Sequence, residues 1–355
     1  MAFAKVPKIS KSRVNLAGKV LAENKPNGLT IENATSITEA WRACHAYPIN
    51  TFQATLRRKL KKFSNDPLVA QRLKRMPTII EKLHRFPKMQ LARMQDIGGV
   101  RAILDSVHDI YILAGEYKDK SRFTHELVGE KDYIESPRDE DGYRSLHLIY
   151  KYDNPQAKEY NGLLLELQIR TRLQHSWATA VETMGTFLGQ ALKSRLGDKE
   201  WLEFFALVSS AFASIENTKL LPKHKNWSQK EIFKAVAKMN EELKVLEKIS
   251  GYSVAVHTIN KRGTSEKGWS YHLIVLNSMS ERPTIQIKAY KRGSIKQATD
   301  DYAKIEEQIA KGQKIEAVLV SAGPLSTLRQ AYPNFFLDIK DFVRRIESII
   351  AESKK

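Results

Sequence analysis

The chain has 355 residues, 42% hydrophobic and 28% charged, with one cysteine and a formal net charge of +18. This composition excludes a disordered polymer and allows two or three domains with ordinary cores; no run of about 18 apolar residues offers a membrane span. Cys44 has no partner for an internal disulfide, and the opening MAFAKVPKISKSRV lacks the apolar stretch of a secretion signal, so a reducing cytoplasm is the expected compartment.

Residues 1–36 are polar and turn-rich, with Lys25-Pro26-Asn27-Gly28 inside them, and read as an N-terminal arm or loose cap. A helical pattern begins at Ile37, breaks at Pro48 and resumes from Ile49 to Phe63. Asp66-Pro67 then reads as the start of a helix through QRLKR into TIIEKLHR. IGGVRAIL from Ile97 reads as a buried strand and IYILAGEYK as a helix; SLHLIYKY and LLLELQIR are strands. A long helix starts near Thr171, with Trp177, Val181, Met184 and Leu188 on its core face, and LEFFALVSSAFASIEN continues the helical texture. A boundary is expected between residues 222 and 228, where Ser228 is placed to cap a helix of about 20 residues. After Gly251 the alternation in YSVAVHTI, SYHLIVLN, TIQIKAYK and IEAVLVSA predicts four strands, with ATDDYAKIEEQIAK and LDIKDFVRRIESII as helices. The expected fold is α+β: a domain over 37–222 and a small α+β C-terminal domain over 228–355, with Trp269, Tyr271 and Tyr290 either packed or presented to a protein partner.

The basic excess is concentrated. Residues 51–100 hold twelve Lys/Arg against Asp66, Glu81 and Asp96, a local surplus of +9, which points to an anionic ligand. There is no GxxxxGK[ST] loop, no GxSxG elbow and no Cys/His cluster at zinc spacing. His108-Asp109 reads as a helix entrance, since further metal ligands around it are lacking.

Strand periodicity supplies the positive signal. In LLLELQIR, Leu163, Leu165, Leu167 and Ile169 share one face and Glu166, Gln168 and Arg170 the other. Ser145, His147 and Lys151 share a face in the preceding strand, and Arg101 lies on the face of Gly99, where a missing side chain lets a ligand approach. Such a sheet packs on one side and lines a polar site on the other. Glu166 could instead pair with an arginine and His147 be a core histidine. Asp96, just before its strand, and Glu166 are two carboxylates among basic residues, a donor set suited to Mg2+ with substrate phosphates. Phosphoryl and pyrophosphoryl transfer needs little more than positioning and charge neutralisation.

The ordered motifs KDYI (131–134), GYRSLH (142–147), ELQIRT (166–171) and QHSWA (174–178), preceded by Arg72, Lys74, Thr78-Ile79, Lys82 and DIGGVR (96–101), resemble the synthetase domain of RelA/SpoT proteins over about residues 50–190. The resemblance implies a mixed-sheet, nucleotidyltransferase-like synthetase core flanked by helices, in the short synthetase-only branch with an added C-terminal domain. It implies Mg2+-dependent transfer of pyrophosphate from ATP to the ribose 3′-hydroxyl of GDP or GTP, giving (p)ppGpp and AMP. Asp96 and Glu166 would hold the metal, with Glu166 helping to deprotonate the hydroxyl. Arg72 and Arg101 would sandwich adenine, and Lys74, Lys82 and Thr78 would hold the triphosphate. Tyr143 would stack on the acceptor base, with Lys131, Arg138, His147 and Gln168 in the acceptor pocket. The departures are PRDEDGYRS, one residue longer than usual, with Arg138 and Asp141 in place of lysine and asparagine, Gly129, and Thr78 for serine. They fall at or near the acceptor side. Two other readings stay open: a toxin-like member that modifies the tRNA 3′ end, its C-terminal domain an inhibitor or a sensor of a phage protein, and an inactive nucleotide- or RNA-binding module.

Overall fold

The computed structural model describes residues 3–63, 68–74, 76–187, 199–263, 269–277, 284–294 and 335–355, with residues 315–321 and isolated positions between 297 and 313. It divides into two compact units. The first is Met1–Ile134 with Ser145–Arg172; the second is Glu135–Arg144 with Leu173–Lys355. Residues 222–228, where the sequence predicts a boundary, lie inside the second unit.

In the first unit the helices are α1 (Lys11–Glu23), α2 (Ile31–Ala43), α3 (Ala46–Leu60), α4 (Met76–Arg85) and α5 (Val107–Lys118). The strands are β1 (Leu68–Leu73), β2 (Gly98–Leu104), β3 (Glu126–Asp132), β4 (Leu146–Lys151) and β5 (Leu164–Thr171), in sheet order β1-β2-β5-β4-β3. The β2–β5 pair is parallel and the other pairs antiparallel, so the sheet is mixed. One face carries Val100, Ala102, Leu104, Leu146, Leu148, Tyr150, Leu165, Leu167 and Ile169 into the core with Phe52 and Leu56 of α3 and Leu113 and Tyr117 of α5. Phe52 alone meets Phe123, His125, Tyr150 and Tyr152 within 4.8–6.3 Å; truncating such a ring costs about 3–5 kcal/mol.

Two expectations are corrected here. Residues 68–73 form strand β1, not the start of a helix: pairing of Leu68–Leu73 with Ile103–Gly98 of β2 overrides the helix propensity of AQRL. Residues 1–36 are not loose. Ser10 caps α1, whose Ala17, Val20 and Leu21 are buried with Leu29 and Ala34, while Val14 joins the main core. Pro48 lies in the first turn of α3, where its missing N–H costs nothing. His108-Asp109 is a helix entrance as expected: Ser106 accepts from the Asp109 N–H and caps α5.

The second unit contains α6 (Arg172–Phe187), α7 (Lys199–Ile215), α8 (Gln229–Leu243), α9 (Val245–Gly263) and α10 (Phe335–Ser353). Its three-stranded antiparallel sheet is β7-β6-β8, from β6 (Trp269–Asn277), β7 (Thr284–Lys291) and β8 (Glu316–Ser321). Trp177, Val181 and Met184 are buried on α6 as expected; Leu188 lies outside the described residues. Ser228 caps α8 in a capping box with Glu231. The strand expected at YSVAVHTI is instead the second half of α9. Val245, Ile249 and Tyr252 are buried at helical spacing, while Val254, assigned by alternation to a buried face, is exposed. Tyr290 is buried and packed; the side chains of Trp269 and Tyr271 and much of the helix expected over ATDDYAKIEEQIAK lie outside the described residues.

Candidate active site

The face of the first unit's sheet opposite its core is largely polar because the register aligns polar positions of all five strands. One row across it reads Arg101, Gln168, His147 and Lys131; the next reads Arg72, Gly99, Glu166 and Ile149. At Gly99 an added Cβ would stand 3.0 Å from the Glu166 carbonyl oxygen, so a side chain there would push the two strands a few tenths of an ångström apart.

Glu166 is held from both sides. Its Oε1 lies 2.8 Å from His147 Nδ1, and its Oε2 accepts from the Gln168 amide at 2.6 Å. Burial works against the charged form, and Asp96 adds repulsion. The His147 ring and the Gln168 amide nevertheless hold the Glu166 carboxyl below its usual range. Glu166 pairs with His147, a buried ring turned toward the carboxylate. Gln168 is fixed by Arg170, whose guanidinium donates to its Oε1 at 2.9 Å, and more weakly by Arg101 at 3.4 Å. Arg170, buried on the same polar face, orients the residue that orients Glu166. Its alternation with Gln168 is the signal for it, yet neither the strand pattern nor the family resemblance assigns it a role. The Tyr133 ring adds an edge contact to His147 at 5.2 Å.

Asp96 lies just ahead of β2, gripped by two lysines. Lys74 Nζ stands 3.0 Å from its Oδ2 and Lys82 Nζ 2.9 Å from its Oδ1. Burial alone would raise this carboxyl, but the two ammonium groups prevail and hold it far below the ordinary range. Lys74 follows β1, where its N–H donates to the Ile97 carbonyl at 2.7 Å and its own carbonyl accepts from Arg42 Nε at 2.6 Å. Lys82 projects from α4, whose first turn contains Thr78. Thus Asp96, Lys74 and Lys82 come together, as do Glu166, His147, Gln168 and Arg101. The two groups sense each other through the repulsion between Asp96 and Glu166. Lys131 is exposed on β3 beside His147. Arg72 occupies the β1 position opposite Gly99, and its side chain lies outside what the structure describes.

Arg138 and Tyr143 belong to the second unit. There the Arg138 guanidinium donates to both oxygens of buried Asp141, with Nε at 3.1 Å from Oδ1, and lies 4.5 Å above the Tyr143 ring.

Among the described residues no group of three or more His, Cys, Asp and Glu could hold a metal unaided. Asp96 and Glu166 supply carboxylate oxygens, the donor type a divalent cation takes together with phosphate and water oxygens.

Residues 71–185 match the family described as "Region found in RelA / SpoT proteins". Over these residues the chain is similar to that family. GTP pyrophosphokinase YjbM of Bacillus subtilis is 36% identical over 113 residues, 31% of this chain and 52% of its own length. GTP pyrophosphokinase YwaC of the same organism is 31% identical over 133 residues, 36% of this chain and 62% of its own. The chain thus spans about half the length of the curated relatives it matches. A solved structure of small alarmone synthetase 1 from Bacillus subtilis, bound to its product pppGpp, is 26% identical, with 50% of this chain and 96% of that chain covered and a TM-score of 0.41. The RelA/SpoT region begins within β1 and ends near the end of α6, so it includes every residue of the polar face just described and loop 135–144.

Proposed function

We propose that the chain transfers the β,γ-pyrophosphoryl group of ATP to the 3′-hydroxyl of GDP or GTP, giving (p)ppGpp and AMP. The observation that carries this reading is the pairing of an oriented, ionised Glu166 with an Asp96–Lys74–Lys82 cluster inside a RelA/SpoT region.

Lys74 and Lys82 exchange part of their contact with Asp96 for triphosphate oxygens when ATP binds, with Thr78 beside them; Arg72 and Arg101 hold the adenine by their planar guanidinium groups. Asp96 and Glu166 would hold Mg2+, which would supply charge neutralisation when bound. Glu166 accepts the proton of the 3′-hydroxyl as the O3′–Pβ bond forms. The bond from Pβ to the bridging oxygen breaks, and its electron pair leaves with AMP. His147 and Gln168 keep the Glu166 carboxylate aimed throughout and, with Lys131, contact the acceptor; Arg138 and Tyr143 are assigned to the acceptor by their motif alone. The Gln168–Arg101 contact at 3.4 Å is loose enough to open for adenine.

Incubation with γ-labelled ATP and GDP, GTP or bulk tRNA tests the reading. Label on a guanine nucleotide, lost in Glu166→Gln, is the expected result. Label on the tRNA 3′ end instead would keep the chemistry and change the acceptor. Label on none, with ATP still bound, would leave a binding module.

A further inference from the structure

Loop 135–144 carries two proposed acceptor contacts, Arg138 and Tyr143, and its shape is set within the second unit. At Gly142, φ is +79°, and an added Cβ would stand 2.6 Å from Ser209 Cβ: the loop backbone rests directly on α7. The Ser209 hydroxyl uses both of its capacities here. It donates to the Gly142 carbonyl at 2.5 Å and accepts from Arg144 Nε at 2.9 Å. Within the loop, buried Asp141 accepts from the Arg138 guanidinium and from the Tyr143 N–H at 3.0 Å, and the Gly142 N–H donates to the Arg138 carbonyl at 2.8 Å. Lys219 pairs with Glu135 at the loop's start. Tyr143 is therefore stiff relative to α7, and α7 packs through Phe205 and Phe212 on Phe342 of α10, with ring centroids 6.3 and 6.1 Å apart.

We propose that Ser209 is a positioning residue for the acceptor: through its hydroxyl, α7 fixes the loop that presents Tyr143. The proposal rests on the pyrophosphokinase reading above. It makes an acceptor-side determinant out of a helix that lies beyond the matched RelA/SpoT region.

The test uses full-length Ser209→Ala, Ser209→Cys and Gly142→Ala, with ATP and the labelled acceptor varied separately and the thermal midpoint recorded for each. Losing the hydroxyl leaves the Gly142 carbonyl and the Arg144 guanidinium each with one partner fewer. The expected result for Ser209→Ala is a rise of about ten-fold in the acceptor KM, with the ATP KM within about two-fold of wild type. Ser209→Cys, with a weak donor of similar shape, recovers part of that loss. Gly142→Ala, strained at positive φ and pressed against α7, exceeds it; should it fail to fold, the two Ser209 variants carry the comparison. An unchanged acceptor KM in folded Ser209→Ala, or equal rises in both KM values, overturns the positioning role and leaves the pyrophosphokinase reading standing. A wild-type protein that labels no acceptor removes both.

Discussion

Replacing Asp96 with Asn separates ATP binding from transfer. The carboxylate stands 3.0 and 2.9 Å from the Lys74 and Lys82 ammonium groups, which the proposed function gives to the triphosphate. In the free protein Asp96 thus competes with ATP for the same two cations, and its charge repels the incoming phosphates. A unit charge at about 6–7 Å in an effective dielectric of about 20 gives a repulsion of roughly 2.5 kcal/mol. Asp96 is about a quarter exposed, so screening trims this to about 1–2 kcal/mol. Asp96→Asn should therefore bind ATP roughly five- to thirty-fold more tightly in EDTA, while pyrophosphate transfer in Mg2+ falls by about 1000-fold or more. The variant should also be less stable by about 1–3 kcal/mol, because buried Lys74 keeps its charge with a weaker partner. Calorimetric titration of ATP with and without EDTA, beside transfer of γ-label, measures both arms. Transfer within ten-fold of wild type, or metal-free ATP affinity that falls along with transfer, refutes the assignment of Asp96.

Glu166→Gln keeps the hydrogen-bonding shape beside His147 and Gln168 but has no carboxylate to take the hydroxyl proton. Its kcat should drop by about 100- to 10,000-fold with the ATP dissociation constant little changed, read by single-turnover transfer and titration. The folded Asp96 carboxyl is held low by Lys74 and Lys82, so its contribution to stability is complete above about pH 4, the unfolded value, and fades as pH falls toward the folded one. Urea unfolding at pH 3, 5 and 7 should show an acid-side loss in the wild type that is shallower in Asp96→Asn. Burial pushes the Cys44 thiol up to about 12, so native protein at pH 8 should resist maleimide and urea-unfolded protein should react at one site per chain, counted by mass spectrometry.

The site is legible in the sequence where strand periodicity governs it. Glu166, Gln168 and Arg170 alternate with leucines and isoleucine, so a single strand declares which side chains face away from the core, and the register then adds His147 and Arg101. What the sequence does not show is which cation each carboxylate chooses. The Lys74 and Lys82 grip on Asp96 joins three separate segments and depends on β1 being a strand, which its local propensities contradict. The helical half of α9 is hidden for the opposite reason. Tyr252-Ser253-Val254-Ala255-Val256 alternates like a strand, and only the burial of Val245, Ile249 and Tyr252 at helical spacing reveals the other period. The motifs of loop 135–144 point to acceptor contacts; that a serine about 65 residues downstream fixes the loop's shape has no local signature at all.

The backbone passes between the two units at 134/135, 144/145 and 172/173. A protein trimmed to the matched segment would therefore keep the ten residues of the loop and discard the helix beneath them. The same cut would remove α3, whose Phe52 and Leu56 pack on the sheet's core face, so both the cover of the sheet and the support of the loop lie outside the matched segment.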